Sequence, residues 1–409
     1  MKIGIIDICK QIEDPRMDRK KLHKMETIIY VSIAAVICGA QSWNEIEEFG
    51  HAKFDFFKSR IPDLEVIPSH DTFNRFFSII KPSYFELIFR NWVKQVCQEI
   101  KGVVAIDGKL MRGPSKCNDE HTTGKEGFKL WMVSAWSAAN GISLGQVKVD
   151  DKSNEITAVP LLIHALDLDD CIVTIDAMGC QLEITKAIIE RNSNYIIALK
   201  KNQKSSYELA KKIIDGYENR NVILNRVTRH TSESTGHGRL ETRVCTVVSY
   251  GPVMEPMFKD KFAGLRSIVG MKSERIILAT GERSEKTRYY ITSLENTNPE
   301  EIANAIRQHW SIENNLHWQL DVTFREDYSK KVQNAARNFS AVTKMALTIL
   351  KNDKVTKGSM NLKRLKAGWD EKYLSTLLQD SAFLCVGPVT RQVYKNTVIL
   401  YIKTLLSII

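Results

Sequence analysis

Three acidic residues stand where a core would not ordinarily place them. Asp107 closes the apolar run Val103-Val104-Ala105-Ile106, and Asp176 closes Cys171-Ile172-Val173-Thr174-Ile175. Glu313 falls within a helical stripe of Ile302, Ile306, His309, Leu316 and Leu320, set by three- and four-residue steps. A lone buried carboxylate costs on the order of several kcal/mol unless something pairs with it. The ordinary explanations are an aspartate capping a loop and a glutamate paired with Arg307 or His317, or rotated to solvent. The alternative is convergence: two acids at strand ends and a third on a later helix can meet in one crevice at a sheet edge. Such an oxygen-only set suits Mg²⁺ or Mn²⁺ better than zinc. Two of these ions clamp the attacking and leaving oxygens of an in-line phosphoryl transfer.

Other residues carry competing readings. His309, Glu313 and His317 are spaced so that one helix face could offer nitrogen, oxygen and nitrogen ligands to zinc, but the HExxH arrangement with its general base is missing. Trp310 and Trp318 could stack on bases, although tryptophans so near a buried helix face are more often core residues. Lys200, Lys201 and Lys204 follow a strand and either track a nucleic-acid backbone or form a solvated loop. The net charge of +10 favours a polyanionic partner, since Lys and Arg on phosphates release counterions, but a merely basic enzyme fits it equally.

The elements that must position these residues are legible in outline. Residues 1 to 98 read as helical. A basic entry (Arg16, Arg19, Lys20, Lys21, Lys24) precedes an apolar stretch from Thr27 to Ala40, too short to span a bilayer and expected as a buried helix. Ser69-His70-Asp71-Thr72 offers capping side chains before Phe73, Phe76, Phe77 and Ile80 on one helical face. From Gly102 the pattern changes. The runs ending at Asp107 and Asp176, and the run Tyr195 to Leu199, predict strands buried on both faces. Trp131–Ser137 and Ile142–Val149 predict a meander, and Asn154–Leu166 a crossing helix. About 205 to 275 reads as an insertion, with Arg239-Leu240-Glu241-Thr242-Arg243-Val244 alternating like a half-exposed strand. The sheet is expected to resume at Arg288–Leu294. A helix follows, with Asn298 as cap, Pro299 at its first position and Glu300 and Glu301 in its first turn.

A chain of 409 residues, 43% hydrophobic, can bury a sizeable core in two or three domains. The eight cysteines form no CxxC pair and none has a histidine at zinc-finger spacing, which suits reduced thiols. Met1 is not followed by a basic and then a cleavable apolar stretch, so no signal peptide is expected.

At the acidic residues the sequence resembles the H-repeat-associated (ISAs-type) DDE transposases of bacterial insertion sequences. The matching stretches are Ile106-Asp107-Gly108-Lys109 with Arg112, Lys152-Ser153-Asn154-Glu155-Ile156, and Thr174-Ile175-Asp176-Ala177-Met178-Gly179-Cys180-Gln181. Next come Leu199-Lys200-Lys201-Asn202-Gln203 and His237-Gly238-Arg239-Leu240-Glu241-Thr242-Arg243. The last are His309 to Trp318 and Leu320-Asp321-Val322-Thr323-Phe324. The order of the set is specific, and the likeness runs from about residue 20 to 378. It implies an α/β fold: a ribonuclease H-like mixed sheet with helical cover, a β-rich insertion and a helical N-terminal domain. It further implies that Asp107, Asp176 and Glu313 form a catalytic triad holding Mg²⁺ or Mn²⁺, two ions in all. The activity implied is cleavage and strand transfer of an insertion sequence. The partners are double-stranded DNA, as element ends and target, and a second copy of the chain, in a bacterial cytoplasm at the nucleoid and away from any membrane. A catalytically decayed DNA-binding relative, or a nuclease that does not join, remains the alternative.

Candidate DNA contacts are Lys109, Arg112, Lys200, Lys201, Arg239, Arg307 and His309. Many relatives carry Tyr, Arg and Lys seven before, four before and seven after the glutamate; here those positions hold Ile306, His309 and Leu320. The handling of DNA ends is therefore not carried over from them. The resulting division is a DNA-end-binding domain over 1–98, a catalytic domain over 99–350 and a C-terminal extension over 351–409. Beyond Asp380 the apolar tail is expected to lie outside the catalytic machinery.

Overall fold

The computed structural model describes Cys9, Asp14, Arg16 and residues 21–97, 99–113, 130–149, 155–218, 227–249, 251, 258 and 260–380. The tail beyond 380, the motif residues Lys152, Ser153 and Asn154, and Cys117 and Cys385 lie outside them.

Among the described residues the N-terminal part carries α1 (Met25–Ile37), α2 (Trp43–Ala52), α3 (Phe54–Lys58), α4 (His70–Ile79) and α5 (Pro82–Val96). The expected capping is present in α4, where the Thr72 amide donates to Ser69 Oγ at 3.3 Å, and Phe73, Phe76 and Phe77 are buried. In α1 every residue but Glu26 is buried. A helix that is apolar all round must be covered all round, and that cover comes from both ends of the chain. The central helix α10 (Gln333–Asn352) packs against α1, α4, α5 and the sheet. Trp43 stacks on Phe77 at 5.2 Å and meets Phe339 of α10 edge-on at 5.2 Å. One continuous hydrophobic core therefore joins residues 21–97 to the sheet and to α10.

The strands are β1 (Gly102–Met111), β2 (Leu130–Ser137), β3 (Ile142–Val149), β4 (Cys171–Ile175), β5 (Asn194–Leu199), β6 (Val227–Gly236), β7 (Arg239–Ser249), β8 (Ser267–Ile277) and β9 (Arg283–Thr292). Among the described residues they form one sheet in the order β3-β2-β1-β4-β5-β9-β8-β7-β6. The meander β1-β2-β3 is antiparallel, whereas β1-β4 and β4-β5 are parallel. The crossovers are α6 (Glu155–His164) and α7 (Leu182–Ile189). The segment read as an insertion supplies α8 (Lys204–Glu218) and β6 to β8, hydrogen-bonded onto the same sheet through β9. On the other face lies α9 (Pro299–Ile312), which buries Ile302, Ala305 and Ile306 against Val103, Ile172, Ile196 and Val247. Asn298 caps α9 by accepting the Glu301 amide at 3.1 Å. After α9 come two π-helical turns, Glu313–His317 and Gln319–Thr323, a short turn Glu326–Tyr328, and, beyond α10, helices α11 (Met360–Trp369) and α12 (Glu371–Asp380). The six described cysteines are free, and no described helix is long and apolar enough to cross a membrane.

Candidate active site

The parallel pairing of β1 with β4 ends at Ile106 and Ile175, so the next residues, Asp107 and Asp176, leave the ladder side by side. Asp107 does not end its strand, as the sequence suggested. β1 continues to Met111 against β2, with Asp107 opposite Ser134. What ends at Asp107 is the neighbour on the other side, and this opens the crevice. Asp176 does cap a turn: the Met178 amide donates to its Oδ1 at 2.9 Å. A side chain at Gly179 in that turn would put its Cβ 2.4 Å from Ile175 Cγ2, which keeps the turn tight on β4. The second oxygen of Asp176 faces Lys200 Nζ at 3.4 Å, so one carboxylate serves both the turn and the site.

On the helix the expected stripe holds at Ile302, Ile306, Leu316 and Leu320, all buried. Glu313 departs from it and is exposed. A π turn starts there, with Leu316 and His317 buried, and Glu313 lines the crevice. Trp310 and Trp318 are also not core residues; they are 47% and 53% exposed on either side of Glu313.

Asp107, Asp176 and Glu313 line one cavity of about 350 Å³ together with Thr174, Lys200, His309 and Trp310. Burial, with Asp176 and then Glu313 as like charges nearby, pushes Asp107 up to about 6, opposed by the Gly108 amide and Lys200. His317 Nδ1 lies 3.4 Å from Asp107 Oδ2. Burial first, then Lys109 and Lys344, hold His317 down at about 3, so it meets Asp107 as a neutral ring. His309 Nδ1 pairs with Thr174 Oγ1 at 3.1 Å, and burial lowers its pKa too. With these two nitrogens turned to Thr174 and Asp107, the zinc set read from His309, Glu313 and His317 is not presented as a group. Among the described residues, no three His, Cys, Asp or Glu side chains are gathered tightly enough to hold a metal ion as they stand. The donor chemistry nonetheless fits a hard cation: three carboxylates face one cavity, and burial and like charge raise the most buried of them.

The other sequence candidates divide. Lys200 and His309 line the cavity, and Lys201 and Arg307 are exposed near it in sequence. Arg239 begins β7 at the hairpin tip, away from the carboxylates along the strand. Lys109 differs from these: its side chain is 12% exposed and held between Asp321 and Glu326. Arg112 is exposed but turned to Asp327. Sequence reasoning missed Lys286, Arg288 and Tyr290, which also line the cavity. β5 pairs with β9 only from Tyr289 onward, so the first half of β9 has β8 alone as its partner. The signal was present, because residues 286, 288 and 290 share one strand face by alternation. Starting that strand at Arg288 concealed it.

The chain matches the family described as "Transposase DDE domain" over residues 99–349 and the family "DDE_Tnp_1-associated" over residues 6–93. It is 37% identical to "Putative transposase YncI" of Escherichia coli over 92% of this chain and 94% of that one. It is 36% identical to the "H repeat-associated putative transposase YhhI" of the same species, over 90% and 96%. A structure of a piggyBac transposase synaptic complex with hairpin DNA aligns at a TM-score of 0.40 and 11% identity, over 97% of this chain and 80% of that one, too distant for any argument about fold.

Proposed function

The chain belongs to the DDE transposase family, and on that premise we propose that it cuts and rejoins DNA at a site formed by Asp107, Asp176 and Glu313. The observation that carries the reading is the shared cavity, in which burial first, and then the like charges of Asp176 and Glu313, raise Asp107. The strand order β3-β2-β1-β4-β5, with the meander antiparallel and the rest parallel, supports a ribonuclease H-like core, with β6 to β8 as its insertion. The three carboxylates would hold two Mg²⁺ or Mn²⁺ ions, which when bound supply the clamp on the attacking and leaving oxygens.

The chain's own residues do the rest. Asp176 keeps one oxygen for its turn and offers the other to the cavity. His317 steadies Asp107 without adding charge. Lys200, Lys286 and Arg288 ring the opening and suit the phosphates of a strand laid across it. Trp310, with the Arg288 guanidinium 5.7 Å over its ring, offers a flat face to the neighbouring sugar or base. The reaction class is hydrolytic strand cleavage followed by attack of a 3′-hydroxyl on target DNA. Two element ends must be held at once, so the working species on DNA is a homodimer.

The test uses a duplex of the genomic DNA flanking the gene, a target plasmid and the purified full chain. Cleavage and joining that require Mg²⁺ or Mn²⁺, and that vanish in Asp107→Asn, Asp176→Asn and Glu313→Gln, are the expected result. Cleavage that persists in those variants would remove the triad, and binding without cleavage by the parent chain would favour the decayed reading.

A further inference from the structure

The segment carrying Glu313 is tied back to the strand carrying Asp107 by contacts that take no part in the cavity. Lys109, two residues beyond Asp107, donates to Asp321 and, at 2.9 Å, to Glu326 Oε2. Further along, the Arg112 amide donates to Asp327 Oδ1 at 3.1 Å, and Arg112 Nε lies 3.9 Å from the same carboxylate. Gly113 then runs flush against the turn: a Cβ there would sit 2.5 Å from the Ser329 carbonyl oxygen and 2.7 Å from that of Glu326. Backbone cannot yield as a side chain can, so only glycine fits. From the other side, Arg325 takes a left-handed conformation (φ 53°, ψ 38°) that ends the π-helical segment and swings Glu326 back under β1. Glu326 is buried and also accepts from Ser340 at 2.8 Å, while Lys344 donates to Ser340 at 2.9 Å and to Gln146.

We propose that Lys109 and Arg112, with Gly113, form a latch that sets the separation between Asp107 and Glu313. On this reading Lys109 and Arg112 are positioning residues and not DNA contacts. The proposal rests on the triad reading and deepens it. A carboxylate on a π turn at the end of a helix has no strand neighbour to hold it. The packing of α9 on the sheet holds it from the preceding side, and on the following side the latch pins residues 321, 326 and 327, eight, thirteen and fourteen positions on. Metal sites are sensitive to such outer contacts, and their loss typically costs about 10- to 100-fold in metal affinity.

The test compares Lys109→Met, Lys109→Arg, Asp321→Asn and Arg112→Ala in the full chain. Mn²⁺ binding to the DNA-free protein is followed by calorimetric titration, and binding to the flanking-DNA duplex, without divalent ion, as a function of salt. Lys109→Met and Asp321→Asn are expected to weaken Mn²⁺ binding about tenfold and to slow cleavage in parallel. Lys109→Arg should recover much of both, and the salt slope of DNA binding should not move. Asp321, itself an acid, cannot be a phosphate contact, so a shared phenotype separates latch from DNA contact. Where Lys109→Met fails to fold, Asp321→Asn carries the comparison, because its side chain is a third exposed. The latch is overturned if Lys109→Met leaves Mn²⁺ affinity at the parent value, or lowers the salt slope by about one contact. If Asp107→Asn and Glu313→Gln still cleave, it is the triad reading that fails instead.

Discussion

At Asp107, β1 meets Asp176 and Glu313, and burial with these like charges raises its carboxyl to about 6. Two residues on, at Lys109, the same strand meets Asp321 and Glu326. Burial would raise Glu326 as well, yet Lys109 and Lys344 hold it down at about 2. The two groups share a strand and the segment after α9, but at Asp107 burial and like charge outweigh Lys200, whereas at Glu326 two lysines outweigh burial. Saturated pairs fix geometry. A cluster short of counter-charge stays open to a cation brought from outside, and it is built at some expense to the stability of the fold that carries it.

The largest effect expected separates the two groups by function. Asp107→Asn, Asp176→Asn or Glu313→Gln should lower metal-dependent cleavage roughly a thousandfold or more, about 4 kcal/mol of transition-state stabilisation, while DNA affinity by gel shift stays near the parent value. Equal loss of binding would show that the acids act through folding.

Next in size is stability. Glu326→Ala leaves Lys109 and Lys344 without their shared partner, and removing one side of a buried pair costs roughly 3–5 kcal/mol. Thermal unfolding should fall by several degrees, and an unchanged midpoint would contradict the saturated network. The pH dependence has opposite signs at the two sites. Glu326 is depressed in the fold, so its contribution is present above its ordinary value and is lost as pH falls through about 2. Asp107 is raised, so its contribution is present below its ordinary value and is lost as pH rises through about 6. Metal-free Asp107→Asn should therefore be more stable than the parent at pH 7.5, by on the order of 1 kcal/mol after solvent screening, and no more stable at pH 4. Urea melts at the two values would decide it.

The smaller effects sit on the cavity rim. Trp310→Ala should leave the unfolding midpoint unchanged, since the ring is exposed, but weaken binding of DNA with unpaired ends by about 1–3 kcal/mol. Lys286→Ala or Lys201→Ala should weaken duplex binding a few-fold and reduce the salt slope by about one. An unchanged slope would take those residues off the DNA path.

The comparison also shows what patterning in sequence does and does not reveal. The apolar runs ending at Asp107 and Asp176, the Asn298-Pro299 start of α9 and the Ser69 cap of α4 were all legible, because each depends on residues adjacent in the chain. The exposure of Glu313, Trp310 and Trp318 was not, because which side of a helix is left open is decided by the distant segments packed beside it. Residues 1–98 read as separable, yet α1 shares its core with α10, some 300 residues further on. Deleting them would strip apolar cover from that helix, so surface substitutions test DNA-end recognition more cleanly than truncation does.

By itself the sequence determined the alternation of strands and helices, the three acids and the order of motifs that marks the family, since these follow from local periodicity and residue chemistry. Only the tertiary structure decided that Lys109 serves Asp321 and Glu326, which lie over 200 residues away. It also decided that Lys286, Arg288 and Tyr290 of β9 line the cavity and that Gly113 must be glycine because another segment's backbone lies against it. Whether a charged side chain faces solvent, a ligand or a buried partner depends on which distant segment packs beside it, and no short-range pattern encodes that choice.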